Sequence, residues 1–132
     1  MQAIILSIGD ELVLGQTVDT NSAYLSQRLA ERGISTRYHQ TVADDQAAIA
    51  DAITHASRMV PLILITGGLG PTEDDLTRQA MSDAMAAPLV LDEQQLATIK
   101  TMMTRGGRRM PDRNRIQAMH PRGTDMISNT CG

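Results

Sequence analysis

A glycine-rich turn joins a buried strand to a helix at residues 61–77, and that junction constrains the fold more than any other stretch. Pro61-Leu62-Ile63-Leu64-Ile65 is an apolar run of strand length. Thr66-Gly67-Gly68-Leu69-Gly70-Pro71-Thr72 follows it, then Glu73-Asp74-Asp75, then a helical pattern. Such a turn presents backbone N–H groups beside a helix N-terminus, which favours an anion. Three consecutive carboxylates in the same turn are compatible with an anionic ligand when a divalent cation lies between them. The junction therefore points to a phosphate-bearing ligand held through a metal.

The rest of the chain repeats the strand–helix alternation. Ala3–Ile8 is a second continuous run, stopped by Gly9, as suits a strand buried on both faces of a parallel sheet. Spacing predicts further strands over 35–42 and 62–66, and helices over 22–32, 47–59, 76–86 and 93–105. Residues 88–91 read as a short edge strand. Residues 106–125 read as loop with one short helical segment, and 126–130 as the opening of another strand. The order β-α-β-α-β-α is the sign of an α/β fold with a parallel sheet and right-handed crossovers. A length of 132 residues suits one domain.

Composition narrows the partners. The chain has no Phe or Trp, and Tyr24 and Tyr38 are its only aromatics, so it lacks a base-stacking surface. Nine Met with many Ala, Ile and Leu must fill the core, and Met81, Met85, Met102 and Met103 read as a core stripe. The formal charge of −3 does not favour nucleic acid. Arg105, Arg108, Arg109, Arg113, Arg115 and Arg122 form a basic region against only two acids. A solvated surface suffices for most of them, with one or two available to clamp a diphosphate. Asn114 and Gln117 in that region are candidates to read a ring edge. His39, His55 and His120 are scattered and read as surface or packing residues. Cys131 is the only cysteine, so no internal disulfide is possible. No signal peptide and no membrane-length apolar run is legible, and a cytoplasmic protein is expected.

Acids fall at all three strand ends, where open α/β sheets bind their ligands. Asp10 and Glu11 follow the first strand, Asp44 and Asp45 the second, and Glu73, Asp74 and Asp75 the third. Convergent carboxylates are what Mg²⁺ or a similar hard cation requires. Each cluster alone also reads as a cap: Thr72 with Asp75 resembles a capping box, and Asp44 or Asp45 precedes a helix. Asp19-Thr20-Asn21-Ser22 reads the same way, with Thr20 or Asn21 as the cap, or else as a polar patch beside Asp10. Three adjacent acids beside three glycines exceed what capping demands. No Lys-Ser/Thr pair follows the glycines, so the turn is not a Walker A loop, and the third glycine of the dinucleotide fingerprint is missing.

Gly9-Asp10-Glu11-Leu12 with Gly15-Gln16 and Asp19-Thr20-Asn21 forms one motif block. Thr66–Thr72 with Asp74-Asp75-Leu76-Thr77 forms a second, and Met110-Pro111, Asn114, Gln117-Ala118, Pro121, Gly123 and Asn129 a third. Together, in one colinear register over almost the whole chain, they resemble the N-terminal domain of the competence/damage-inducible CinA family. That domain is related to the molybdopterin-binding MogA/MoaB proteins. The resemblance implies a three-layer α/β/α fold with a mainly parallel sheet. It implies a divalent-metal-dependent pyrophosphatase, using Mg²⁺, Co²⁺ or Mn²⁺, that splits ADP-ribose into AMP and ribose 5-phosphate. A molybdopterin- or nucleotide-binding module without turnover, or an inactive truncated homologue, is the alternative. Asp75, Asp44 and Asp10 fall on the catalytic and metal-holding acids. Gly67, Gly68, Gly70, Thr72, Asp19, Asn21 and Asn114 fall on the substrate-binding positions. The ligand is then a nucleotide diphosphate or a pterin, and a homo-oligomer is expected. Asp45 stands where the family more usually has Asn. The family continues past Asn129 into a Gly-Thr-Ala-Pro-Gly turn and further strands, so residues 1–132 are expected to be a single domain lacking its last strands.

Overall fold

The computed structural model of the chain describes residues 1–129. Strand β1 (Gln2–Ile8) lies at the centre of a parallel sheet, between β2 (Ser35–Val42) and β3 (Leu62–Thr66). Every β1 residue from Ala3 to Ile8 is buried, which is why that run is apolar almost without interruption. Its side chains alternate between the two faces. Ala3 and Ile5 pack with Leu29 of α2 (Thr20–Ala30). Ile4, Leu6 and Ile8 pack with Ile49, Ala52, Ile53 and Ala56 of α3 (Gln46–Ser57) and with Ala80 of α4 (Thr77–Met85). Helix, sheet and helix pair make the expected three layers. Aliphatic side chains fill the core without Phe or Trp.

The strand order fixes where a ligand site belongs. The chain leaves β1 through α2 to reach β2, then passes back over β1 through α3 to reach β3. Those crossovers travel in opposite directions, so right-handedness puts their helices on opposite faces. The reversal leaves a crevice between the carboxyl ends of β1 and β3, the topological switch point.

Three helices begin on aspartate caps. Asp19 accepts from the Ser22 amide (3.0 Å), Asp45 from the Ala48 amide (2.8 Å) and Asp92 from the Gln95 amide (2.9 Å). Asp19, rather than Thr20 or Asn21, therefore caps α2. The remainder departs from the periodicity. A short helix α1 (Asp10–Val13) directly follows β1. Strand β4 (Leu89–Leu91) is no edge of the parallel sheet; it pairs antiparallel with β5 (Met119–Pro121). Between them run α5 (Glu93–Thr104) and a 3₁₀ segment (Asp112–Ala118). A three-residue strand has too few positions to show alternation. Residues 126–129 carry no strand, and Thr130 lies outside the described residues. Among the described residues no helix is long and apolar enough to cross a membrane.

Candidate functional site

The glycine turn occupies the switch point, and its glycines are required there. Gly67 and Gly68 have φ of 94° and 65°, in the left-handed region that a side chain disfavours. A Cβ on Gly67 would strike the Ile8 carbonyl oxygen, and one on Gly68 would strike the Thr77 hydroxyl. The turn is thus pressed against the end of β1 and the start of α4. Thr77, only 1% exposed, staples it there. Its hydroxyl donates to the Gly67 carbonyl (2.7 Å) and its amide to the Gly68 carbonyl (3.2 Å).

Asp75 closes the other half of the turn. Its Oδ2 accepts from the Thr72 amide (2.9 Å) and the Thr72 hydroxyl (2.7 Å). A Cβ on Gly70 would lie 2.6 Å from that oxygen, so glycine makes the room. The capping-box reading does not apply, because α4 begins at Thr77 and its N-cap, Leu76, makes no side-chain bond. Desolvation alone would raise the pKa of Asp75. The Thr72 hydroxyl, the Thr72 and Gly70 amides and the Arg78 charge outweigh it and hold that carboxyl below its usual range. Arg78 donates to the Gly70 carbonyl (3.3 Å). Burial lowers its pKa and Asp75 works against that lowering. It remains a cation at neutral pH. Glu73 and Asp74 are exposed at the tip.

Asp10 and Asp44 meet. The Asp10 amide donates to Asp44 Oδ2 (3.1 Å) and the Asp44 amide donates to Asp10 Oδ1 (2.9 Å). This exchange ties the ends of β1 and β2 together, beyond the last bond between Gly9 and Val42 (3.0 Å). One oxygen of each carboxylate is engaged. Asp44 is therefore not the cap of α3; Asp45 is.

The start of α2 reaches the same sheet edge. Asn21 donates to the Thr66 hydroxyl (3.3 Å). Burial would raise the pKa of Asp19, but Ser7, Ser22 and the charge of His39 outweigh it and lower it. The Ser7 hydroxyl is fully buried and lies toward Asp19 without meeting ordinary hydrogen-bond geometry. Ser7 escaped the sequence reading because it sits inside an apolar strand.

Other sequence candidates lie elsewhere. Asn114 is buried within the 3₁₀ segment, where it donates to Gln117 Oε1 (2.9 Å). The six arginines between residues 105 and 122 are all exposed. The arginine at the turn is Arg78, and its signal was three-residue spacing from Asp75 at the start of a helix. Met81 packs against the main core as expected, whereas Met102 and Met103 are half-buried outside it. All three line a cavity of about 610 Å³ beside the turn, bounded by α4, α5 and β5, while Met85 is exposed.

Among the described residues no three His, Cys, Asp or Glu side chains are grouped to hold a metal ion. A cage made wholly of protein ligands is thus not what these residues build. The Asp10–Asp44 pair fits a different arrangement, because Mg²⁺ is commonly held by one or two carboxylates plus substrate phosphates.

Residues 4–129 match the family model described as a probable molybdopterin binding domain. Proteins named putative competence-damage inducible protein, from Levilactobacillus brevis and Acetivibrio thermocellus, are 41% and 40% identical over 132 residues. The alignment covers all of this chain and 32% of each relative, so the chain spans about a third of their length. The crystal structure of the protein CinA with unknown function from Thermoplasma acidophilum superposes with a TM-score of 0.92 at 30% identity. That match covers 100% of this chain and 77% of the other. MoaB from Thermus thermophilus gives a TM-score of 0.59 at 24% identity over 62% of this chain and 53% of that one, a likeness of fold alone.

Proposed function

This chain belongs to the CinA family through its probable molybdopterin binding domain, and on that premise we propose that it is a divalent-metal-dependent nucleotide pyrophosphatase of ADP-ribose type. The observation that carries the reading is the glycine turn at the switch point, with the Asp10–Asp44 pair on the neighbouring strand ends. The turn is held before a ligand arrives by the Thr77 bonds to the Gly67 and Gly68 carbonyls. Donors that need no rearrangement stabilise charge developing on a phosphoryl oxygen. Asp10 and Asp44 would hold a cation that arrives with the diphosphate, and such an ion supplies polarisation of the phosphoryl group. Asp75 is expected to act beside the metal through its charge and through the turn it shapes.

Water adds across the P–O–P bridge. Its oxygen bonds to one phosphorus, the bridging P–O bond breaks, and AMP and ribose 5-phosphate leave as two monophosphates. The proton lost by water passes to solvent or to a site carboxylate. Asp75 suits that last role poorly, because three donors and a cation already lower its basicity. Arg78, fixed on the Gly70 carbonyl, supplies positive charge beside the turn.

A second reading has its own support. Asp75 Oδ2 is wholly engaged by Thr72, which makes the turn a rigid cradle with or without chemistry. A pterin- or nucleotide-binding module without turnover would use the same cradle.

The test is AMP release from ADP-ribose with Mg²⁺, Mn²⁺ or Co²⁺, comparing the wild-type chain with Asp75→Asn. Release that the substitution abolishes supports the enzyme. Metal-dependent ADP-ribose or pterin binding without release supports the module. Wild-type release by Asp75→Asn would show that the site is wrongly placed.

A further inference from the structure

Glu11 stands beside the Asp10–Asp44 pair, and no bond within the fold accounts for its side chain. Its backbone is anchored on both sides. The Glu11 carbonyl accepts from the Gln16 amide (2.9 Å) and the Thr17 amide (3.1 Å), and its neighbour Asp10 is tied to Asp44. The side chain folds back over Gly9, with its two carboxylate oxygens 2.6 and 2.8 Å from where a Cβ on Gly9 would stand. Gly9 itself is extended (φ 160°, ψ 131°), so no left-handed turn requires a glycine there. What the missing side chain leaves is room for the carboxylate.

Gly9 is flanked by both halves of the site. Its amide donates to the Val42 carbonyl at the end of β2 (3.0 Å). On the β3 side the turn presses Gly67 against the carbonyl of Ile8. A carboxylate lying on Gly9 therefore stands between the aspartate pair and the turn. The other acids of this edge are committed or remote. Asp10 and Asp44 each give one oxygen to the other's amide, Asp75 Oδ2 takes Thr72, and Asp45 caps α3. Glu73 and Asp74 stand at the exposed tip. Among the described residues neither oxygen of Glu11 has a hydrogen bond or an ion pair. Nor does Glu11 join Asp10 and Asp44 as a third metal ligand, because among the described residues no three such side chains are grouped. An ionised carboxylate with both oxygens open is an acceptor, and water is the donor that hydrolysis brings.

We propose that Glu11 is a catalytic residue: its carboxylate receives the attacking water, and Gly9 is the positioning residue that leaves space for it. This role rests on the pyrophosphatase reading and supplies the proton acceptor which that reading leaves open. A water O–H donates to Glu11, which aims the water oxygen at one phosphorus. As the new P–O bond forms, the bridging P–O bond breaks and its electron pair leaves on the departing phosphate. The proton of the water passes to Glu11 and from that exposed side chain to solvent.

The experiment measures AMP release from ADP-ribose with Mg²⁺ and with Mn²⁺ for the wild-type chain, Glu11→Gln, Glu11→Ala and Gly9→Ala. Mn²⁺ binding is followed in parallel by electron paramagnetic resonance. Glu11→Gln should lower kcat about a hundredfold or more, the usual scale for a lost proton acceptor, with little change in KM and with Mn²⁺ bound as in the wild type. Added formate should restore part of the turnover of Glu11→Ala, which a structural role does not allow. Gly9→Ala should also lower kcat at a Tm near the wild type, because the flexible carboxylate gives way rather than the fold. Turnover in Glu11→Gln equal to the wild type overturns this role and leaves the pyrophosphatase reading standing. Loss of Mn²⁺ binding in Glu11→Gln overturns it too, making Glu11 a metal ligand, as does a loss in Glu11→Ala that formate leaves untouched. No AMP from the wild type with either metal removes the pyrophosphatase reading and the role of Glu11 with it.

Discussion

Thr77→Val is the most incisive single perturbation of the turn. Valine keeps the shape of threonine and exchanges the hydroxyl for a methyl group. Thr77 is 1% exposed, so no solvent replaces the lost donor readily. The Gly67 carbonyl then loses its 2.7 Å partner. Leaving a buried acceptor unpaired costs about 1–3 kcal/mol. Gly67 is half-buried, which puts the expected loss near the middle, at about 2 kcal/mol. For a chain of this length that is a fall in Tm of roughly 6–10 °C. Thr77→Ser is the control. It keeps the hydroxyl and removes one methyl, which costs about 0.5–1.5 kcal/mol by analogy with Ile→Val. Thermal unfolding followed by circular dichroism reads both. Binding of ADP-ribose should weaken in the valine variant beyond the serine variant, because only the former frees the turn. If Thr77→Val melts with the wild type and binds as well, the hydroxyl does not hold the turn and the preorganisation reasoning fails.

Further outcomes follow from the same geometry. Gly67→Ala should cost more than about 3 kcal/mol, since left-handed strain adds to a clash with the Ile8 carbonyl, and a soluble folded variant with unchanged Tm would contradict this. Asp10→Ala should cost about 1 kcal/mol by orphaning the Asp44 amide, whereas Asp10→Asn keeps an acceptor and should melt near the wild type. The same Asp10→Asn variant should lose metal-dependent turnover, which chemical denaturation and an AMP assay separate. Asp75 has a lowered pKa when folded, so its stabilisation is full above the unfolded carboxyl value of about 3.9 and is lost as pH falls through the lower folded value. The Tm gap between wild type and Asp75→Asn should therefore hold steady from about pH 7 to pH 4 and close only below that.

Much of the sheet was legible because burial on both faces leaves a simple mark. Leu62–Thr66 and Ser35–Val42 form the strands that the sequence predicts, and all four predicted helices lie within two residues of their expected bounds at each end. The peripheral arm was not legible. Met119–Pro121 is three residues long, contains a proline and follows a 3₁₀ segment, so neither period of hydrophobicity has room to appear. Residue types and strand ends placed Asp10 and Asp44 beyond β1 and β2 and Asp75 in the turn after β3, where the structure has them. Their individual duties depended on distance. Asp10 and Asp44 bond each other's amides, Asp45 caps a helix, and Asp75 braces Thr72, yet all four look alike in sequence. Met81 packs against the core as its spacing predicts, but Met85, Met102 and Met103 misled, because helical spacing fixes which face they share and not what that face meets. Arg78 is a single cation in a helix pattern, and its bond to Gly70 and its charge beside Asp75 emerge only from the structure.

The central claim is that the turn and the aspartate pair cleave a nucleotide diphosphate with a divalent cation. Phosphorus-31 NMR of ADP-ribose incubated with the chain and Mg²⁺, Mn²⁺ or Co²⁺ tests it most directly. The account predicts that the diphosphate signals give way to the two monophosphates AMP and ribose 5-phosphate. It predicts that chelation of the metal, or Asp44→Asn, stops the conversion. Diphosphate signals that persist with every metal at saturating substrate would contradict it, as would conversion that continues unchanged in Asp44→Asn.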